Sequence, residues 1–155
     1  MKALTVMQPW AWAIFNGKNI ENRTAHWNYR GPLAIHAGIR KSDRGMRDPR
    51  VLDAVAGSSI DSRDRWTSLQ SDLSCALEFG AIIGVVELVD CHPDGNCCRP
   101  WGESDYVEHG GRQRSNIFHL VLEHPRLLAD PIACRGALGL WTPPREVVEV
   151  LQAVS

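Results

Sequence analysis

The sequence predicts an α+β fold, a small mixed β-barrel with short helices at its mouth and flank, and three observations carry that expectation. Residues 81–91 hold Ile82, Ile83, Val85, Val86, Leu88 and Val89, a near-continuous apolar, largely β-branched run of the kind that forms a buried strand. Several further strand-like runs are separated by a few short stretches of helical spacing, which fits a small mixed β-barrel. The chain has 155 residues at 44% hydrophobic content, enough to bury one sizeable core, and nothing calls for a second; 1–155 reads as a single domain.

Taken in order, 1–6 reads as a strand and 9–16 as a helix of about two turns. Pro9 suits its first turn because no N–H is needed there, and Gly17 suits the position past its end. An extended segment through Lys18, Glu21 and Arg23 follows, then a strand at 33–37. Val51, Leu52 and Val55 give 49–56 helical spacing with Gly57 as the stop. The polar stretch 58–68 reads as a loop, and 69–79 as a helix that Gly80 ends. After the strand at 81–91, the Pro- and Gly-containing stretch 92–111 is expected to be a long loop, with one helical turn around 104–108. Strands at 116–123 and 137–142 complete the sheet, and Pro143-Pro144 breaks the chain before a helix at 145–154.

Composition narrows the function. Net charge is −1, and no apolar run approaches the roughly 20 residues that cross a bilayer, so no membrane role is expected. The first residues lack the long apolar core of a signal peptide, and the five cysteines are an odd number without the paired spacing of a disulfide scaffold; a cytoplasmic protein with free thiols is expected. Near-neutrality argues against indiscriminate coating of DNA, yet Arg40, Lys41, Arg44, Arg47 and Arg50 fall close together and would suit the flank of a polyanion groove. Soft ligands gather in 91–98, but the spacing is not that of a zinc ribbon or knuckle, and adjacent Cys97 and Cys98 seldom share one ion. No metal and no cofactor are expected.

The chemistry-bearing residues concentrate between Gln8 and Ala37. On an extended segment Glu21 and Arg23 turn to the same side, so two cations and a carboxylate converge near Trp10. Lys18 is either a site cation or an exposed lysine that favours a helix dipole. Glu21 would orient Lys18, accept from an amine or act as an acid or base; its structural alternative is an ion pair with Arg23 or Arg30. Arg23 and Arg30 can fork onto phosphate or a base edge, or clamp the barrel mouth. Trp10 is the candidate for stacking, while Trp12 and Trp141 read as packing residues. Gln8 would read a base edge or cap the helix. His36 reads as a core histidine or a binding group, and Glu87, inside the buried strand, needs a partner such as Lys18 or Arg30.

The order Gly17, Lys18, Glu21, Arg23, followed by Tyr29-Arg30-Gly31, Ile35-His36-Ala37, the Gly84–Asp90 segment and Arg135-Gly136-Ala137-Leu138-Gly139-Leu140-Trp141, resembles the ASCH domains of the PUA-like superfamily. Their signature is a helix ending in Gly-x-Lys-x-x-Glu-x-Arg; here Lys18, Glu21 and Arg23 keep that spacing, while Asn16 stands at the Gly position and Gly17 directly after it. The resemblance spans nearly the whole chain, and it implies a PUA-like pseudo-barrel with a cleft beside that segment.

It also implies a partner: RNA, another single-stranded nucleic acid or a modified nucleoside, bound by a monomer. Trp10 would stack, Lys18, Arg23 and Arg30 would meet phosphate or carbonyl oxygens, and Glu21 would accept from a base amine. The alternative is a small hydrolase. Relatives that deacylate N4-acetylcytidine use a lysine, a threonine three residues later and a distant glutamate; here Lys18 matches but Glu21 holds the threonine position. The surviving version is a water activated by Glu21 beside Lys18. A ribonuclease would draw on Lys18, Tyr29, His36 or His119.

Overall fold

The computed structural model describes residues 1–57, 64–108 and 110–153, with the backbone alone at 64–66. Its architecture is α+β: a curled six-stranded sheet forming a half-barrel, with four short helices packed on it. The strands are β1 (Lys2–Gln8), β2 (Ile20–Arg23), β3 (Gly31–Lys41), β4 (Ala81–Pro93), β7 (Phe118–Ala133) and β8 (Leu140–Trp141), in the order β2-β7-β4-β3-β1-β8. β1 and β3 run parallel, and every other pair in this sheet is antiparallel. The register shifts once between β3 and β4 and three times between β4 and β7, and each shift bends its strand, so the sheet curls.

Both faces of the central strands are covered. Leu4, Val6, Leu33, Ile35 and Val86 pack on one side with α1 (Trp10–Ile14), α2 (Pro49–Ala56) and α3 (Asp64–Ala76). Ala3, Ala34, Ile82 and Val85 meet Val147 and Leu151 of α4 (Arg145–Ala153) on the other. Alternation at period two therefore sends successive side chains into two different cores, which is why the strands read as continuous apolar runs. Among the described residues no helix is long and apolar enough to cross a membrane.

Several boundaries move from those the sequence predicts. The expected helix at 69–79 starts at Asp64 and ends at Ala76, so 64–68 is helical, while 58–63 lies outside the described residues. His92 and Pro93 belong to β4 rather than to the loop. Tyr106–Glu108 forms a strand, β5, instead of a helical turn, because it pairs with β6 (Arg112–Arg114) across a turn containing Gly110 and Gly111, both at positive φ. β7 runs ten residues past its expected end. Pro125 and Pro131 both fall in stretches skipped by the register shifts, where no ladder hydrogen bond is asked of them. β8 is only Leu140–Trp141, and Val154, the last residue of the expected final helix, lies outside the described residues.

Candidate functional site

A cleft of about 110 Å³ opens where β1, α1, β2 and the 94–108 segment meet. Its position follows from local structure. Gly17 takes φ +102, a conformation open to glycine, and ends α1 so that the chain turns directly into β2. The turn tucks Lys18 under Trp10, with the ammonium 6.0 Å from the ring centroid. β2 then presents Glu21 and Arg23 on one side, as the period-two spacing requires.

The three charged groups form one network. Lys18 is 3% exposed; its ammonium donates to the Ile20 carbonyl and, at 2.5 Å, to Oε2 of Glu21. Arg23 Nη2 lies 3.1 Å from the other Glu21 oxygen and donates to the Thr5 carbonyl at 2.9 Å, while its buried Nε–H has no acceptor. Burial lowers Lys18 below its ordinary 10.5, against the pull of Glu21. Burial alone would raise Glu21, yet Lys18 and then Arg23 outweigh it and hold the carboxyl below its ordinary 4.5. Glu21 is accordingly an anionic acceptor between two cations and a weak base.

The opposite wall comes from residues that the motif does not include. The guanidinium of Arg44 lies over both the Trp10 ring, at 4.8 Å, and the Tyr106 ring, at 4.7 Å, while donating to both oxygens of Glu103 at 2.8 and 2.9 Å. Arg50 covers Trp101 at 4.7 Å and pairs with Asp48 and Glu103. Burial, then the Glu21 and Glu108 carboxylates, push the Tyr106 hydroxyl up to about 12, so it is a donor at neutral pH. Asn22 ties the two walls together, donating to the Trp101 carbonyl at 2.9 Å and accepting from the Glu103 N–H at 3.0 Å. Trp101, Glu103 and Tyr106 had no spacing signal; only the length of their loop marked them. Arg44 and Arg50 were visible as part of a basic segment, and the exposed Arg40, Lys41 and Arg47 continue that segment.

Of the other sequence candidates, the structure sets six apart from the cleft. Gln8 caps α1, accepting from Trp12 N–H at 3.0 Å and donating to the Glu78 carbonyl at 2.7 Å. Tyr29 donates to the Pro32 carbonyl, and Arg30 straps the carbonyls of Trp27 and Tyr29 to Asp90 and Cys91. His36 is 2% exposed, donates from Nε2 to the Cys134 carbonyl at 3.0 Å and meets Trp141 edge-on. Glu87 is half-buried in register between Pro32 and Glu123; Lys18 is committed to Ile20 and Glu21, and Arg30 to Asp90. His119 is fully buried behind the cleft wall, with Nε2 3.0 Å from the Glu103 carbonyl.

No protein-family model matches this chain, and no curated protein matches it significantly.

Proposed function

We propose that this chain is an ASCH-type, PUA-like module that binds single-stranded RNA or a modified nucleoside in the cleft around Lys18. The observation that carries this reading is the cleft's combination of size, flat aromatic wall and paired donors and acceptor. Its volume is of the order of the roughly 150 Å³ cavity that takes one benzene ring. One planar heterocycle therefore fits, with its face on Trp10 and its edge toward Glu21 and Arg23. Arg44 already places a planar cation over that ring, so base and guanidinium would exchange or share the aromatic face. Glu21 would accept from an exocyclic amine, and the Arg23 Nε–H and Tyr106 hydroxyl are the donors on hand. The exposed Arg40, Lys41 and Arg47 would follow the backbone, and so few phosphate contacts predict a shallow salt dependence. The reading asks for no cofactor and a single chain suffices; a cytoplasmic setting suits an RNA ligand.

Hydrolysis of an N4-acylated cytidine or of RNA is the second reading, favoured by the buried lysine with its pKa pushed down beside a carboxylate. Against it, Glu21 is held low and is poorly suited to activate water. Fluorescence anisotropy with labelled single-stranded RNA at low salt, followed by length and mass analysis of the recovered RNA, separates the two. Binding of intact RNA that weakens at least tenfold in Arg44→Ala and Lys18→Met supports the module. Shortened or deacylated RNA from wild type alone makes it an enzyme; no binding, or equal binding by all three proteins, overturns the proposal.

A further inference from the structure

Behind the cleft wall, four ligand-bearing side chains from three separate segments meet. His92 and His119 are direct cross-strand partners at the ends of β4 and β7, and the following loop folds back so that Cys97 and Cys98 come over them. One ligand atom from each of the four lies within 4.8 Å of all the others. Cys97 Sγ is 3.7 Å from His119 Nδ1, and Cys98 Sγ is 3.6 Å from His92 Nε2. We propose that His92, Cys97, Cys98 and His119 form a structural zinc site that locks the 94–105 loop onto the β4–β7 pair.

Three features of the group point to a metal rather than to chance proximity. Zinc bonds of about 2.3 Å to sulfur and 2.0–2.1 Å to nitrogen, set tetrahedrally, put neighbouring S and N ligands about 3.6 Å apart, which the Cys97–His119 and Cys98–His92 pairs match. Each imidazole is also oriented by its other nitrogen. His92 Nδ1 faces the Pro93 carbonyl at 2.9 Å and His119 Nε2 faces the Glu103 carbonyl at 3.0 Å. A carbonyl only accepts, so those nitrogens carry the protons, and the nitrogens aimed into the group keep their lone pairs, as metal-bound histidines require.

The third feature is backbone geometry. Along an extended chain Cys97 and Cys98 would point to opposite sides, but Cys98 has φ +62, a left-handed conformation that turns both side chains toward one centre. Gly102 permits the crowding: a Cβ there would stand 2.7–2.8 Å from Cys97 O, Cys98 Cβ and His119 Cε1. Two thiolates and two imidazoles around one ion favour zinc, and four protein ligands would leave no open position for substrate. On binding, each thiol gives its proton to solvent as its sulfur joins the metal, so Zn²⁺ uptake releases two protons.

The test is metal analysis of the full chain purified without chelator or metal resin, with cobalt titration of the chelator-stripped wild type in parallel. The expected result is about one zinc per chain, lost in Cys98→Ser and His92→Gln but kept in Cys75→Ser. Cobalt should give thiolate-to-metal charge-transfer absorption and the strong d–d bands of a tetrahedral site. The cobalt spectrum needs no variant, so it decides even where a ligand variant fails to fold. Zinc no higher in wild type than in Cys98→Ser, with a featureless cobalt titration, overturns the site and leaves two weak S–H···N hydrogen bonds. A cobalt spectrum of octahedral type without thiolate absorption overturns it equally.

Discussion

In the cleft, every carboxylate of the Lys18 network has a cation against it: Glu21 touches Lys18 and Arg23, and Glu103 touches Arg44 and Arg50. In the His92, Cys97, Cys98 and His119 group the four ligand atoms have only weak contacts with one another. The two regions share a loop, since the Glu103 that closes the cleft is also the residue whose carbonyl holds His119. One region has its charges compensated internally, whereas the other gathers four potential ligand atoms from three segments. A self-compensated site can be perturbed only by removing a partner, and a lone-pair site mainly by removing what occupies it.

The sharpest way to break the contrast is Glu21→Gln. It leaves Lys18 buried without its anion and Arg23 without a counter-charge, and should cost about 3–5 kcal/mol in urea unfolding. A loss below about 1 kcal/mol would mean that the cations swing out to water and that the network is not a closed unit.

Chelation of the proposed metal comes next. A ligand held at 100 times its dissociation constant contributes about 2.7 kcal/mol, so chelator should lower the unfolding free energy of wild type by a comparable amount and leave Cys98→Ser unmoved. Equal midpoints with and without chelator in wild type would remove the cluster from the stability of the fold.

Lys18→Met should cost less, about 1–3 kcal/mol, because Glu21 keeps Arg23 at 3.1 Å. Of the two readings the sequence offered, a site cation or an exposed lysine past a helix end, the exposed one does not hold, because Lys18 is 3% exposed. A greater loss than in Glu21→Gln would reverse the ranking and make Lys18 the structural centre.

The smallest effect is acid sensitivity. The fold holds Glu21 below its ordinary value, so the unfolded chain takes up its proton first as pH falls. The stability this contributes is present above about 4.5 and is lost as pH drops through the lower folded value. Asp48 adds to the same side: burial would raise it, but hydrogen bonds from Arg50 hold it below 3.8. Urea midpoints measured downward from pH 6 should therefore fall most steeply below 4.5, and less steeply in Glu21→Gln. Parallel curves for the two proteins would exclude Glu21 as the source.

Much of the first region was legible because its geometry is local. Lys18 and Glu21 are three residues apart, Glu21 and Arg23 two, and a glycine stop followed by a strand fixes which way all three face. The helix over Pro49–Ala56 and the strand from Ala81 were likewise readable from spacing and caps. The far wall was not. Trp101 and Glu103 sit on a loop leading into Tyr106 of β5, and its path is set by Asn22 and His119, residues about eighty positions before it and sixteen after it in the chain. The cysteine–histidine group was read against a metal because its spacing is not that of a zinc ribbon or knuckle and adjacent cysteines seldom share one ion. A left-handed φ at Cys98 and the pairing of His92 with His119 bring the four side chains together, and neither leaves a trace in residue spacing.

What the sequence alone determined is the α+β class, the strands and helices of the first ninety residues in outline, and the convergence of Lys18, Glu21 and Arg23, all consequences of periodicities and stops that act over a few residues. Tertiary structure decided that Lys18 is buried, that Arg44 lies against Trp10 and Tyr106, that Pro125 and Pro131 fit within one long bulged strand, and that His92 faces His119. The physical reason is range. Side-chain direction follows from backbone dihedrals a few bonds away, whereas burial and cross-strand partnership depend on register between segments that only the folded chain brings into contact.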